Sequence, residues 1–262
     1  IVGDFAHPAI LQRVARGHYD VIFHIAAVPR VSYSVEYPVQ TTDSNLMKSV
    51  ALSDAASKGK ARVVASSSSS VYGGADVMPT TESHARDPKS PYALQKSVME
   101  DFGRLFHSLY GLDIVFLRYF NVFGPNQRDG SAYATAITAW CTAIKNGKTL
   151  RSDGDGSQTR DMCYVDNVVS ANFLAAKREA GFHGQAYNVC CGDSTSNAEI
   201  LDFLRNKFPN INVTNAAWRA GDVMHTLGDW SAAHQDLGYE PLVRFWDGLN
   251  LTLKWWNLDK NS

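Results

Sequence analysis

Three compact apolar runs, at 21–27, 62–66 and 113–119, punctuate the first half of the chain. Strands covered on both faces read this way, because both sides of the pleat meet apolar neighbours. Between them, apolar residues spaced by threes and fours predict helices over 10–16, 39–57 and Pro91–Tyr110. Residues 1–4 read as the end of a strand and its exit turn, and Gly59 stands where the second helix should stop. Strand, helix, strand, helix, strand at this spacing means right-handed crossovers and a parallel sheet. Ligands of such sheets sit beyond the C-terminal strand ends. The segments leaving those ends, 26–34, 66–72 and 121–127, should therefore converge on one crevice.

The second half is mixed. Helices are expected over 132–145, from a cap at Asp166 to Lys177, over 200–208 and over 246–256. Ser196 and Glu199 have the spacing of a capping box ahead of the third of these. Strands are expected at 160–165, 186–189 and 212–216. No shift in composition marks a linker, so the expected layout is a sheet domain over 1–120. A smaller lobe follows over 121–262, with some segments returning to the sheet.

The 262 residues carry a formal net charge of -1 and no long run of one sign. Nothing here resembles a nucleic-acid or membrane surface. No apolar stretch approaches the roughly 20 residues of a spanning helix, and no leader peptide is evident. Cys141, Cys163, Cys190 and Cys191 lack metal-ligand spacing and make a poor disulfide framework, so no metal is expected. They read as reduced thiols of a cytoplasmic protein. His24, inside an apolar run, reads as a core histidine.

The candidate chemistry lies at the start of the Pro91–Tyr110 helix. Ser90 can cap it, Pro91 suits its first turn, and Gly111 suits its left-handed end. Leu94, Val98, Phe102, Leu105, Phe106 and Leu109 follow at helical period. Tyr92 and Lys96 are four apart and share a face away from Leu94. An ammonium near a phenol favours the phenolate, which makes Tyr92 a candidate general acid/base.

With these in place the chain resembles the extended short-chain dehydrogenase/reductase family, and within it the NAD-dependent UDP-hexose 4-epimerases, especially those acting on UDP-N-acetylglucosamine. The matching stretches include Gly3-Asp4, the segment 24–27, the segment 29–34 and Asn45. The serine run 66–70 ahead of Val71-Tyr72-Gly73, Ser90-Pro91-Tyr92 with Lys96, and the segment 118–125 also match. Further on, Gly154-Asp155-Gly156 with Arg160-Asp161 and Arg219-Ala220-Gly221-Asp222 complete the match. The resemblance implies a Rossmann-like doubly wound sheet, lacking its first strand–helix units, with a smaller C-terminal substrate lobe. It implies that Tyr92 takes the proton of the sugar 4-hydroxyl while hydride leaves C4 for NAD. The 4-keto sugar then turns over, and hydride returns to its other face. Ser68 would bond the 4-hydroxyl, with Ser67 as its nearest substitute, and Lys96 would bind the nicotinamide ribose.

By the same resemblance, Asp4, Phe5, Ala26, Ala27, Asn45, Ser66 and Phe120, with Tyr92 and Lys96, would line the NAD site. Ser34, Ser68, Asn121, Arg160, Arg219, Asp222 and Thr226 would meet the UDP-sugar. A small residue at Thr226, four after Asp222, would leave room for an acetamido group at C2, so UDP-N-acetylglucosamine and UDP-N-acetylgalactosamine are the expected substrates. A homodimer is expected through the helices at 39–57 and Pro91–Tyr110, with Leu46, Val50, Phe102, Phe106 and Tyr110 as its apolar surface, unless these side chains face their own sheet.

The glycine-rich pyrophosphate turn of the family does not occur in this sequence. The resemblance then implies an unpaired edge at 21–27 and weak NAD binding, hence an inactive chain as one reading. UDP-glucuronate 4-epimerase and the dehydratases and decarboxylases of the superfamily remain alternatives. The dehydratases place acidic residues where this chain has Ser68-Ser69-Ser70, and no carboxylate lies between Ser66 and Tyr72. A binding protein without catalysis is the alternative from another class.

Overall fold

The computed structural model describes residues 2–74, 76–127, 135–217 and 223–258. Helix α1 (Pro8–Ala15) leads to strand β1 (Val21–His24). Helices α2 (Val31–Glu36) and α3 (Pro38–Thr42), a π-helical turn (Asp43–Met47) and α4 (Lys48–Gly59) then precede β2 (Arg62–Ser68). A 3-10 turn (Ser69–Tyr72) and a loop connect to α5 (Pro91–Tyr110) and β3 (Ile114–Tyr119). Next come β4 (Val122–Phe123), α6 (Ala136–Lys145), β5 (Leu150–Asp153), β6 (Thr159–Asp161), β7 (Cys163–Tyr164) and α7 (Val165–Lys177). Then follow β8 (His183–Val189), β9 (Ser194–Ser196), α8 (Asn197–Lys207), β10 (Val213–Ala216), α9 (Ser231–Leu237) and α10 (Phe245–Trp255).

The main sheet has the order β1-β2-β3-β8 and is parallel throughout. Its strands send alternate residues to two cores. Val63, Ala65, Ile114 and Phe116 pack with Val14 of α1, Leu52 and Ala56 of α4, and Met99 and Phe106 of α5. Val64, Val115 and Leu117 pack on the other face with Val168 and Ala171 of α7 and Leu237 of α9. Helices on both faces of a parallel sheet make the doubly wound, Rossmann-like arrangement. A further core gathers around Trp140, Leu150, Ile200 and Leu249, and the later strands form small two-stranded pairings β5–β10, β4–β7 and β6–β9. No described helix is long and apolar enough to cross a membrane. All four cysteines are buried free thiols.

Several elements depart from expectation. The apolar run at 21–27 is a strand only to His24, with Phe23 and Ile25 exposed; among the described residues it pairs with β2 alone, which is the expected open edge. The helix expected at 39–57 is a longer rod interrupted by the π turn, and α2 occupies what reads as loop. Gly59 is its last helical residue, and Lys60, not the glycine, is left-handed. A Cβ on Gly59 would stand 1.9 Å from the Val14 carbonyl oxygen, so this glycine admits α1. The strand expected at 160–165 splits into β6 and β7, whose partners differ. Tyr164 rather than Asp166 occupies the N-cap of α7, with Asp166 in the first turn.

The expected apolar positions of α5 are split. Leu94, Leu105 and Leu109 are exposed while Phe106 is in the core with Phe102 against it, and Tyr92, Gln95, Lys96 and Glu100 are buried, Gln95 against the 38–47 segment. Gly103 lets the helix lie close, because a Cβ there would meet the Phe116 ring at 2.3 Å.

Candidate active site

A cleft of about 1410 Å³ opens where β2 and β3 end. The strand β2 runs two residues past its expected end, so Ser66, Ser67 and Ser68 belong to the sheet, with Ser68 paired to Tyr119. The next four residues turn tightly, with the Ser68 hydroxyl accepting from Ser70 N–H at 3.2 Å and from the Ser70 hydroxyl at 2.9 Å. The serine run is thus an ordered strand end rather than a loose loop.

Helix α5 starts at the same level. Ser90 accepts from Ala93 N–H at 3.2 Å, and Pro91 fills a position whose N–H would be orphaned. Tyr92 and Lys96 are each 8% exposed and point into the cleft wall. Lys96 Nζ donates to Ser66 O at 2.6 Å and Ser66 Oγ at 3.0 Å. An ammonium has three donors, so one remains for a ligand hydroxyl.

The electrostatics differ from the sequence reading in one respect. Lys96 Nζ sits 6.0 Å from the Tyr92 ring centroid, but burial pushes the Tyr92 phenol above its ordinary pKa. The opposing influence is a hydrogen bond with Ser68, not the Lys96 charge. Burial also pulls Lys96 down to about 8, against the upward effect of Glu100. His24 is buried, and its Nε2 lies 2.7 Å from Ser49 Oγ. The Ser49 hydroxyl proton goes to Asn45 O, so His24 donates from Nε2. Burial first, and the Lys96 charge second, lower its pKa to about 4, as befits a neutral core histidine.

Of the residues expected around NAD, Ala27, Ser66, Tyr92, Lys96 and Phe120 line the cleft. Asn45 is buried in the π turn. Its Oδ1 accepts from Val28 N–H at 2.7 Å, and its Nδ2 reaches Gln95 Oε1 at 2.8 Å. It ties the segment after β1 to α5. Asp4 is ion-paired to Lys48 at 2.6 Å, and Phe5 stacks edge-on against His24. Ala26 is exposed, two residues after His24.

Of those expected around the sugar nucleotide, Ser68, Asn121, Arg160 and Thr226 line the same cleft. Asn121 takes a left-handed φ of 28° and donates from Nδ2 to Asp161 O at 2.8 Å and Thr226 Oγ1 at 3.0 Å. The Thr226 side chain is therefore held in the wall. Arg160 Nη1 donates to Thr159 O at 2.9 Å and Met224 O at 3.1 Å. Neither member of Arg160-Asp161 is exposed, and Asp161 accepts N–H bonds from Cys191, Gly192 and Gly228. Ser34 does not line the cleft. It is fully buried, donates to Val31 O at 2.6 Å and accepts from Tyr92 N–H at 3.0 Å, so it supports the helix start. Arg219 and Asp222 lie outside the described residues.

Sequence reasoning missed Glu100, Arg118 and Gln95, which hold α5 to its neighbours. For Glu100 and Gln95 the signal present was their register with Tyr92 and Lys96 on one helix face; Arg118 lies on β3, opposite Ser67. A dinucleotide fits what is here: a cleft of that size, a free lysine donor, and small or apolar walls at Ala27 and Phe120. Among the described residues no cluster of His, Cys, Asp or Glu is arranged to hold a metal ion.

The family model described as the NAD dependent epimerase/dehydratase family matches residues 1–190. The chain is 34% identical over 242 residues to the UDP-glucose 4-epimerase of Mycolicibacterium smegmatis, covering 90% of this chain and 75% of that protein. Among solved structures, it resembles the UDP-N-acetylglucosamine 4-epimerase from Methanobrevibacter ruminantium M1, in complex with UDP-N-acetylmuramic acid. The TM-score there is 0.91 at 35% identity, over 98% of this chain and 82% of the other. It also resembles the UDP-glucuronic acid 4-epimerase from Bacillus cereus, in complex with UDP-glucuronic acid and NAD. That TM-score is 0.87 at 28% identity, over 94% and 78% of the two chains.

Proposed function

Because the chain belongs to the NAD-dependent epimerase/dehydratase family, with NAD as its cofactor, we propose that it inverts C4 of UDP-N-acetylglucosamine and UDP-N-acetylgalactosamine. The carrying observation is the convergence of Ser68, Tyr92 and Lys96 in one cleft at the sheet's C-terminal edge.

NAD, held along Ala27, Ser66, Lys96 and Phe120, would supply the hydride acceptor and donor at C4 and a positive charge that favours the phenolate. Tyr92 Oη takes the 4-hydroxyl proton as the C4–H bond breaks, leaving a 4-keto sugar. It gives the proton back when C4 is reduced. The Ser68 hydroxyl, a partner of that phenol, orients the 4-oxygen. Lys96, anchored on Ser66 by two donors, turns its third toward the ribose. Asn121 and Arg160 hold the nucleotide side, with Arg219 and Asp222 as proposed further contacts, and Thr226 borders the sugar.

Two observations support an acetylated sugar. Thr226 is small and pinned in the cleft wall, and the Methanobrevibacter ruminantium enzyme is named for such a sugar. A second reading, UDP-glucuronate, is favoured by Arg30. It lines the cleft and forms no ion pair among the described residues, so a sugar carboxylate would suit it. The lack of a carboxylate between Ser66 and Tyr72 disfavours dehydration.

The protein is supplied with NAD and each of the UDP-sugars, and the C4 epimer is measured. Tyr92→Phe should lower kcat by about 10²–10⁴-fold with NAD still bound. Normal turnover in that variant removes Tyr92 from the mechanism, and bound sugar nucleotide without turnover in the wild type favours a binding role.

The same reading includes a homodimer. Phe106 is in the core and Phe102 packs against it, so the surface differs from the one expected. Leu94, Leu105, Leu109 and Tyr110 of α5, with Met47 in the neighbouring rod, offer the outward apolar face to a second copy. Sedimentation as a monomer at micromolar concentration would reject it.

A further inference from the structure

Glu100 is fully buried one helical turn beyond Lys96 and two beyond Tyr92. Its Oε1 accepts from Ser67 Oγ at 2.6 Å and from Arg118 Nε at 2.9 Å, and its Oε2 accepts from Arg118 Nη2 at 2.6 Å. Ser67 and Arg118 are paired across β2 and β3, one rung before Ser68 and Tyr119. Arg118 Nη1 continues to Tyr72 OH at 2.7 Å, which donates to Asn188 Oδ1 on β8 at 2.7 Å. One carboxylate therefore joins α5 to two strands directly, and to a third through Arg118 and Tyr72.

Stability is a weak reason for such a pair. Replacing a buried ion pair with well-packed apolar residues is often neutral or stabilising. Its place in the fold suggests another reason, since it grips β2 at the residue before Ser68 and α5 one turn from Lys96.

We propose, resting on the epimerase reading above, that Glu100 is a positioning residue of this site. Through Ser67 and Arg118 it sets the height of Tyr92 and Lys96 over the end of β2, and its carboxylate is the counter-charge Lys96 faces along the helix. The groups around Lys96 are consistent with this. Tyr92 on α5, Tyr119 on β3 and His24 on β1 are neutral at neutral pH, and Ser66 on β2 does not titrate. Arg118 on β3, and Arg86 at 3.6 Å in the preceding loop, surround Glu100 with positive charge. Glu100 alone pulls the Lys96 pKa back upward.

Two variants separate the roles. Glu100→Gln keeps one acceptor oxygen but loses the charge and the second acceptor, setting an amide NH2 against a donor of Arg118; Ser67→Ala loses one bond and keeps the charge. Ser67→Ala should lower kcat by about tenfold, with KM for the sugar nucleotide within about threefold and the pH profile unmoved. Glu100→Gln should lower kcat further and shift the alkaline limb of kcat to lower pH by about one unit, because Lys96 then loses its proton sooner. Wild-type kcat and an unmoved limb in both, with cooperative unfolding, would overturn the proposal and leave a structural clamp. If Glu100→Gln does not fold, Ser67→Ala decides: unchanged kcat overturns the proposal. If the wild type shows no turnover, the epimerase reading fails by itself, and NAD affinity above the Lys96 midpoint becomes the readout. Weaker binding in Glu100→Gln supports positioning there, and equal binding overturns it.

Discussion

The backbone N–H of Tyr92 donates to the hydroxyl of Ser34, 3.0 Å away across 58 residues of sequence. Ser34 donates in turn to Val31 O. A six-residue helix with no apolar period of its own thereby supports the first turn of the helix that carries the proposed acid/base.

Ser34→Ala leaves the Tyr92 N–H buried without that acceptor. The expected cost is about 1–3 kcal/mol of stability, read as a lower urea midpoint at unchanged m-value. Turnover should fall with it, since Tyr92 is displaced. A midpoint and kcat equal to those of the wild type would show that the bond does not hold the helix start.

His24 gives a signed pH dependence. Its folded pKa is lowered from 6.5 to about 4, so the folded state resists the proton that the unfolded chain accepts. Between those values the unfolded state binds more protons, and stability falls as pH falls. The histidine's contribution is fully present above pH 6.5 and lost toward pH 4. Thermal melts across that window should slope less steeply in His24→Gln than in the wild type; parallel slopes would assign the acid sensitivity to other groups.

Thr226 carries the substrate prediction. An aromatic ring there fills space beside the sugar, and overpacking a fitted wall costs more than leaving a gap. Thr226→Tyr should lose kcat/KM for the acetylated sugars before the unacetylated pair. Because Thr226 Oγ1 also accepts from Asn121 and from Asp161 N–H, Thr226→Val is the control for the lost hydroxyl. The gate idea fails if the tyrosine variant ranks the four sugars as the valine variant does.

Much of this site is legible in the sequence because it is local. Ser90, Pro91 and Gly111 mark the ends of α5, and the Tyr92–Lys96 spacing places both on one face. The same locality misleads about which face is inside. Leu94, Leu105 and Leu109 keep helical period yet lie outward, because the polar face is satisfied by partners far along the chain. Glu100 finds Arg118 and Ser67, and Gln95 finds Thr41, Thr42 and Asn45. No window of sequence contains such pairs. The π turn escapes for a related reason, since one extra residue per turn is invisible to a count of apolar positions. The strand β5 is too short to show a period, and β10 supplies its partner about sixty residues later.

Gly103 returns here as an engineering problem. Any scheme that ranks substitutions by helix propensity would choose it early, since a mid-helix glycine is about 1 kcal/mol worse than alanine. The Phe116 ring lies where the new methyl would go. Such a methyl acts as a shim under a beam, lifting α5 off β3 midway along its length. Tyr92 and Lys96 ride at one end of that beam, and the cleft wall is built to their height. Efforts to make this protein more heat-resistant therefore do better on the solvent side of α5 than at the one position where its sequence looks least helical.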